Sequence, residues 1–291
     1  MITYPCCKIN LGLNVTARRA DGYHDLETVF YPIPLCDALE INVMDDGFPS
    51  AVACDLLTKT RDVDESGEGS PAPLCPEQKN LVVRAYNIIA RDRALPRIHA
   101  HLYKNIPSQA GLGGGSSDAA YMIRLLNEQF GLRMSTKEME CYAAELGADC
   151  AFFITSRPAY ATGIGNQLTP LDGSNDILCG YHIALVKPDI AVSTGKAYSE
   201  IAPRRPAVCC KDIVRRPINE WRGLLTNDFE EPVFKMHREL GAIKERLYEL
   251  GAEFALMSGS GSTLFGLFKD KPQNIEEAFG GCFTAVMELG R

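Results

Sequence analysis

The chain has 291 residues, 46% of them apolar, and carries a formal net charge of −7. It can build one large or two modest cores, and it has no basic excess with which to hold nucleic acid, so any affinity for phosphate is local and made by a few placed groups. Eleven cysteines, arranged as two adjacent pairs plus singles with no C-x-x-C spacing, do not indicate zinc and read as reduced thiols. There is no signal-peptide pattern and no apolar run of membrane length, so the expected setting is cytoplasmic, without a membrane partner.

In chain order, Ile9 to Thr16, Leu26 to Ile33 and Leu39 to Met44 read as strands. Residues 45–79 are rich in Asp, Glu, Gly, Ser and Pro and are expected to form a mobile surface insertion, either a solvated loop or a lid. A helical face follows in Leu81, Val82, Ala85, Ile88 and Ile89. Ile98, Ala100 and Leu102 then alternate with His99, His101 and Tyr103, the pattern of a half-buried strand. After a glycine-rich segment, Met122, Leu125, Leu126 and Phe130 have helical spacing up to Gly131. A further helix passes through Met139, Tyr142, Ala143 and Leu146 and closes at Gly147. Gly147-Ala148-Asp149 leads into Cys150 to Phe153, expected to be an apolar strand, and another strand starts near Tyr160.

The turn Asp172 to Asp176 marks the expected division into domains 1–172 and 173–291. Beyond it, Ile183 to Val186 reads as a strand. Val233, Leu240, Ile243, Leu247 and Leu250 trace one helical face ending at Gly251. Strands Phe254 to Met257 and Thr263 to Phe268 flank Ser258-Gly259-Ser260-Gly261-Ser262. A helix near Glu276 and a strand through Phe283, Ala285 and Met287 complete a split βαβ pattern. Both halves are α+β.

The most specific signal is Ile106-Pro107-Ser108-Gln109-Ala110-Gly111-Leu112-Gly113-Gly114-Gly115-Ser116-Ser117-Asp118. A strand, a loop with four glycines in five positions and a helix, in that order, form a phosphate cradle. Glycine lets the backbone approach an anion, and the helix start offers unpaired N–H groups. Ser116 or Ser117 is expected to cap the helix. The segment is not a dinucleotide fingerprint: counted from Gly111 the sixth position is Ser116, and counted from Gly113 it is Asp118. Nor is it a P-loop, since no lysine follows it, and Gly195-Lys196 has Ile190 where a leading glycine belongs.

A phosphate loop asks for groups that orient an attacking hydroxyl and neutralise charge. Asp149 is one candidate. Lys8 and Asn10, at i and i+2 on an otherwise apolar strand, share a face. A structural Lys8–Asp149 ion pair and a catalytic one fit this pattern equally. Tyr23 and His24 follow Gly22 and can stack on and hydrogen-bond a planar ring. Ser258 to Ser262 is either a small-residue nest or a tight hairpin.

Taken together, Lys8-Ile9-Asn10-Leu11, Arg19-Ala20-Asp21-Gly22-Tyr23-His24, the loop from Gly111 to Ala120, Gly147-Ala148-Asp149 and Ser258 to Ser262 resemble the GHMP kinases, the superfamily of galactokinase, homoserine kinase, mevalonate kinase and phosphomevalonate kinase. The resemblance runs from Pro5 to about Phe268. It implies a two-domain α+β fold, with a left-handed βαβ crossover in the N-terminal domain and a ferredoxin-like C-terminal domain. It also implies ATP and Mg²⁺ as cofactors. By this resemblance Asp149 is the catalytic base and Lys8 its partner. Pro107, Gly111, Leu112, Gly113, Gly114, Gly115, Ser116 and Ser117 form the ATP-phosphate loop, and no protein metal ligand is assigned.

The Asp-Gly-Tyr-His segment marks the branch that phosphorylates the C2 hydroxyl of a methylerythritol bearing a cytidine diphosphate, in the non-mevalonate isoprenoid route. For that acceptor the resemblance implies Asn10, Tyr23, His24, Thr194, Tyr198, Gly259 and Ser260. His24 would read the cytosine with Tyr23 supporting it, and Tyr198 would stack on the other face of the base, with ordinary helix packing the alternative for Tyr198. Another sugar, homoserine or mevalonate acceptor is the alternative. A monomer or weak homodimer is expected. Cys6-Cys7, where the family has small or apolar residues, and the long acidic 45–79 segment depart from the pattern.

Overall fold

The computed structural model describes residues 1–45, 47, 52–61, 77–171 and 177–290. In chain order these form β1 (Ile2–Thr3), β2 (Cys6–Arg18), β3 (His24–Cys36), β4 (Ala38–Val43), β5 (Cys54–Thr60), α1 (Leu81–Ala90), β6 (Ile98–Lys104), α2 (Gly114–Gln129), α3 (Thr136–Leu146), α4 (Phe152–Thr155), β7 (Ala159–Thr162) and β8 (Gln167–Pro170). There follow β9 (His182–Lys187), α5 (Thr194–Ser199), α6 (Cys210–Ile213), α7 (Glu230–Met236), α8 (Arg238–Glu249), β10 (Phe254–Met257), β11 (Leu264–Phe268), α9 (Ile275–Ala278) and β12 (Phe283–Glu288).

The chain forms two compact, interleaved units. The first comprises residues 1–7, 35–106 and 113–156 and holds a sheet of order β1-β4-β6-β5. β5 runs parallel to β6, and α1 joins them, so these three elements form a βαβ unit. Alternation decides how the sheet packs. Ile98, Ala100 and Leu102 of β6 are buried with Leu39 and Ile41 of β4, while His101 and Tyr103 face outward. The helices are locally encoded. Asn80 caps α1 by accepting the Val82 N–H at 2.9 Å, and Ser135 with Glu138 makes a reciprocal capping box on α3.

The second unit comprises residues 8–34, 107–112 and 157–291. Its antiparallel sheet has the order β10-β11-β9-β12, the arrangement of a split βαβ, with α8 packed against β10 and β11. Leu240 and Leu247 of α8 join Val186, Ala255, Met257 and Leu264 in one core. Trp221 is fully buried, meets Phe254 edge-on and donates its indole N–H to the Arg216 carbonyl at 2.9 Å. A further sheet has the order β2-β3-β7-β8.

Three sequence expectations are corrected. The polar 45–79 segment contains β5, whose Asp, Thr and Lys residues disguise a strand with one open face; most of the rest of that segment lies outside the described residues, as does the turn 172–176. The run from Cys150 is a helical turn leading into α4, because short buried apolar runs do not distinguish helix from strand by periodicity. The single helix expected through Val233 and Leu250 is two, α7 and α8. They break at His237, where the backbone is extended (φ −134°, ψ 82°), yet Val233 and Leu240 keep a heptad spacing across the break.

Candidate active site

In the second unit, β2 carries Lys8 and Asn10, both buried. The Lys8 ammonium donates to Asn10 Oδ1 at 2.6 Å and to the Gly111 carbonyl at 3.3 Å, and lies 5.0 Å from the centroid of the Phe30 ring. An ammonium has donors only, so Asn10 must turn its oxygen toward Lys8 and its amide nitrogen toward Thr28. Asn10 Nδ2 accordingly donates to Thr28 Oγ1 at 2.9 Å, and the Thr28 hydroxyl donates onward to the Gly12 carbonyl. The strand expectation that Lys8 and Asn10 share a face is met.

The same unit packs two glycine segments back to back. Lys8 N–H donates to the Leu112 carbonyl at 3.0 Å, and Thr263 N–H donates to the Ala110 carbonyl at 3.3 Å. Gly111 has φ +73°, and a Cβ there would fall 2.1 Å from the Ser258 carbonyl oxygen, so only glycine fits. Ser258 to Ser262 form the tight turn between the antiparallel strands β10 and β11, held by Asn227, a residue not anticipated from sequence. Asn227 Nδ2 donates to the Met257 and Gly259 carbonyls at 2.7 and 2.8 Å, and Asn227 Oδ1 accepts the Phe229 N–H. Thr194 and Ser260 share a hydroxyl contact of 2.8 Å. His24 and Tyr198 stack, with centroids 4.8 Å apart and 15° between planes, and Tyr198 meets Phe229 edge-on. Tyr23 stands apart from this stack, 62% exposed, its N–H on Asp21 Oδ1 at 3.0 Å. Pro107 is half-buried where the loop begins.

In the first unit the loop continues into α2. The cap is Gly113 (φ 71°) and not a serine, which corrects the expected role of Ser116 and Ser117. The first intrahelical bond runs from Ser117 N–H to the Gly113 carbonyl, so the N–H groups of Gly114, Gly115 and Ser116 have no partner within the helix. They point out of a helix end that carries partial positive charge. Ser117 is buried and its hydroxyl donates to the Cys6 carbonyl at 2.5 Å. Ser116 hydrogen-bonds the Cys150 thiol, which burial pushes up to about 11. Asp149 is half-buried in the turn between α3 and α4.

One charged cluster of this unit was missed. Lys104 donates to Asp37 Oδ2 and, at 2.6 Å, to Asp118 Oδ2; all three residues are buried. Burial raises the Asp118 carboxyl to about 8 against the pull of Lys104. The legible signal was Lys104 itself, a charge on the inward phase of β6 after Ile98, Ala100 and Leu102.

Comparison with known proteins gives the class, a small-molecule kinase. Residues 80–157 match the GHMP kinases N terminal domain and residues 211–284 match the GHMP kinases C terminal family. The chain is 49% identical, over 99% of its length and 100% of the relative's, to a Bacteroides fragilis protein named 4-diphosphocytidyl-2-C-methyl-D-erythritol kinase. A crystal structure of 4-(cytidine 5'-diphospho)-2C-methyl-D-erythritol kinase is 30% identical with a TM-score of 0.77, covering 100% of both chains. The Methanococcus jannaschii mevalonate kinase shares the fold alone, at 13% identity and a TM-score of 0.69, over 100% of this chain and 98% of that one. The chain belongs to the GHMP kinases, with their two-domain fold, and is an ATP-dependent phosphotransferase.

Proposed function

We propose that the chain transfers the γ-phosphoryl group of ATP to the C2 hydroxyl of 4-diphosphocytidyl-2-C-methyl-D-erythritol, a step of the non-mevalonate isoprenoid route. The observation that carries this reading is the whole-length relationship to kinases of that name. The stacked His24 and Tyr198 support it, because an acceptor with a pyrimidine needs flat partners that a sugar or mevalonate does not. Sandwiching cytosine between them would require roughly twice the ~3.4 Å spacing of stacked bases, so the pair must part from 4.8 Å or offer an outer face.

The proposed phosphate loop is Pro107 and Gly111 to Ser117, with the N–H groups of Gly114 to Ser116 as donors. A carboxylate is far too weak a base to remove an alcohol proton before phosphoryl transfer begins. Asp149 therefore orients the hydroxyl and accepts its proton as the oxygen bonds to phosphorus. Lys8 counters charge at the reacting oxygens, with its ammonium aimed by Asn10 and the Gly111 carbonyl. Asn10, Tyr23, Thr194, Gly259 and Ser260 complete the acceptor set. Mg²⁺ would supply charge neutralisation between the phosphates. The half-buried Ser116 hydroxyl is the protein oxygen that would hold it.

The working domains are 1–172 and 173–291, a division supported by the two family matches falling on either side of it. No helix of the described residues is long and apolar enough to cross a membrane, and the reading places the enzyme in the cytoplasm as a monomer or weak homodimer.

Release of ADP from Mg·ATP, measured with the cytidyl compound beside mevalonate, homoserine and galactose, tests the assignment. Turnover with the cytidyl compound alone is expected. Turnover with one of the others instead would replace the acceptor while keeping the kinase.

A further inference from the structure

We propose that the buried Asp37–Lys104–Asp118 cluster is a positioning device that sets the start of α2, and with it the N–H groups of Gly114 to Ser116, for the nucleotide's phosphates. The inference rests on the reading of that segment as the phosphate loop. Lys104 ends β6, just before the loop leaves the sheet, and Asp118 lies in the second turn of α2, just after the loop ends. Both are held by one ammonium, which also contacts Asp37. The other oxygen of Asp37 accepts the N–H groups of Asn105 and Ile106 at 2.6 and 2.8 Å, and the Asn105 side chain donates to the Cys36 carbonyl. Asp37 is itself fixed, its N–H on the Pro5 carbonyl at 2.9 Å. Each side of a glycine-rich, otherwise pliable loop is thus tied to a single point on the chain.

The cluster is poorly explained as a source of stability. Taking charges out of water costs much of what their attraction returns, and buried ion clusters are often replaced by apolar residues without loss. This one holds two carboxyl groups for one ammonium, and Asp118 Oδ1 is buried with no hydrogen-bond partner among the described residues. What charged groups give that apolar ones do not is a fixed register between elements. The geometry places that register at the start of α2. A Cβ at Gly114 would lie 3.5 Å from the Lys104 nitrogen and 3.0 Å from Ile106, so the helix start rests directly on the brace.

The test is steady-state kinetics with ATP varied at saturating acceptor. Asp118→Leu removes the acceptor oxygen and is expected to raise KM for ATP about 10- to 100-fold, the order associated with ångström-scale misplacement, with KM for the acceptor within about twofold. Asp118→Asn retains an oxygen for Lys104 and is expected to restore KM for ATP to within about threefold of wild type. Unchanged KM for ATP in Asp118→Leu, with only a lower melting temperature, would overturn the proposal, as would an Asp118→Asn defect as large as that of Asp118→Leu. If Asp118→Leu does not fold, Asp118→Ala is read by the same criteria. Gly115→Asp separates the underlying reading from this one. Gly115 is exposed, with nothing among the described residues nearer a new Cβ than Leu81 at 3.9 Å, so a folded variant that still binds ADP like wild type would remove the phosphate loop itself.

Discussion

Ser258 donates its hydroxyl to the Gly111 carbonyl at 2.9 Å, while its own carbonyl oxygen occupies the place a Gly111 side chain would need. The two contacts lock the loop and the β10–β11 turn at a separation set by backbone atoms, which cannot rotate aside. Gly111→Ala is therefore expected to combine left-handed backbone strain of about 1–3 kcal/mol with displacement of the Ser258 segment. Thermal melting should show a fall of several degrees, and kcat/KM for ATP should fall at least tenfold. A variant with wild-type kinetics and melting would show that the segments are not locked together.

Lys8 and Asp149 are expected to separate chemistry from folding. Asp149→Asn should lower kcat by about 10²- to 10⁴-fold, the range for a positioned general base. Lys8→Met should lower kcat by about 10²- to 10³-fold, while the lost Asn10 contact costs about 1–3 kcal/mol of stability. Asp149→Asn should melt within a few degrees of wild type, and Lys8→Met no more than about 10 °C below it. Large losses of stability with modest losses of kcat would mark these residues as structural.

Tyr198→Leu removes the flat partner of His24. Stacking on a base contributes about 1–3 kcal/mol, so KM for the cytidyl acceptor should rise roughly fivefold or more, with KM for ATP unchanged. Equal effects on both KM values would instead mean that Tyr198 acts through its packing on Phe229.

The reach of the sequence follows from where its information is local. Lys8 and Asn10 were legible because a strand's two-residue period puts them on one face. The phosphate loop was legible because four glycines in five positions have few other uses. The capping of α2 differs from expectation because Ser116 and Ser117 are good cap residues in isolation, whereas Gly113, in the left-handed region, starts the helix three residues before Ser116. The Asp37–Lys104–Asp118 cluster joins the two flanks of one loop to Asp37, 67 residues before Lys104, and only tertiary packing brings Asp37 there. Asn227 was hidden for the same reason: it serves carbonyls 30 and 32 residues away.

Stability should also carry the signature of Asp118. Its carboxyl is raised to about 8 in the folded chain, chiefly by burial, against an ordinary value of about 3.9 in the unfolded chain. A raised pKa means that the folded state holds the proton more tightly, so this contribution is fully present below about pH 4 and is lost as pH rises through about 8. Asp118→Asn cannot lose a proton there. The melting temperature of the variant minus that of wild type should therefore increase between about pH 5 and about pH 9, and a difference that stays constant would contradict the assignment.

The most direct test of the central claim is phosphorus NMR of the product formed from ATP and 4-diphosphocytidyl-2-C-methyl-D-erythritol. C2 carries the methyl group and no hydrogen, so transfer to its hydroxyl gives a new phosphomonoester signal with no splitting from a proton on the adjoining carbon. That unsplit signal, growing as ATP is consumed, is the predicted result. A monoester split by neighbouring protons would place the phosphate on another hydroxyl, and no new monoester at all would contradict the proposed reaction.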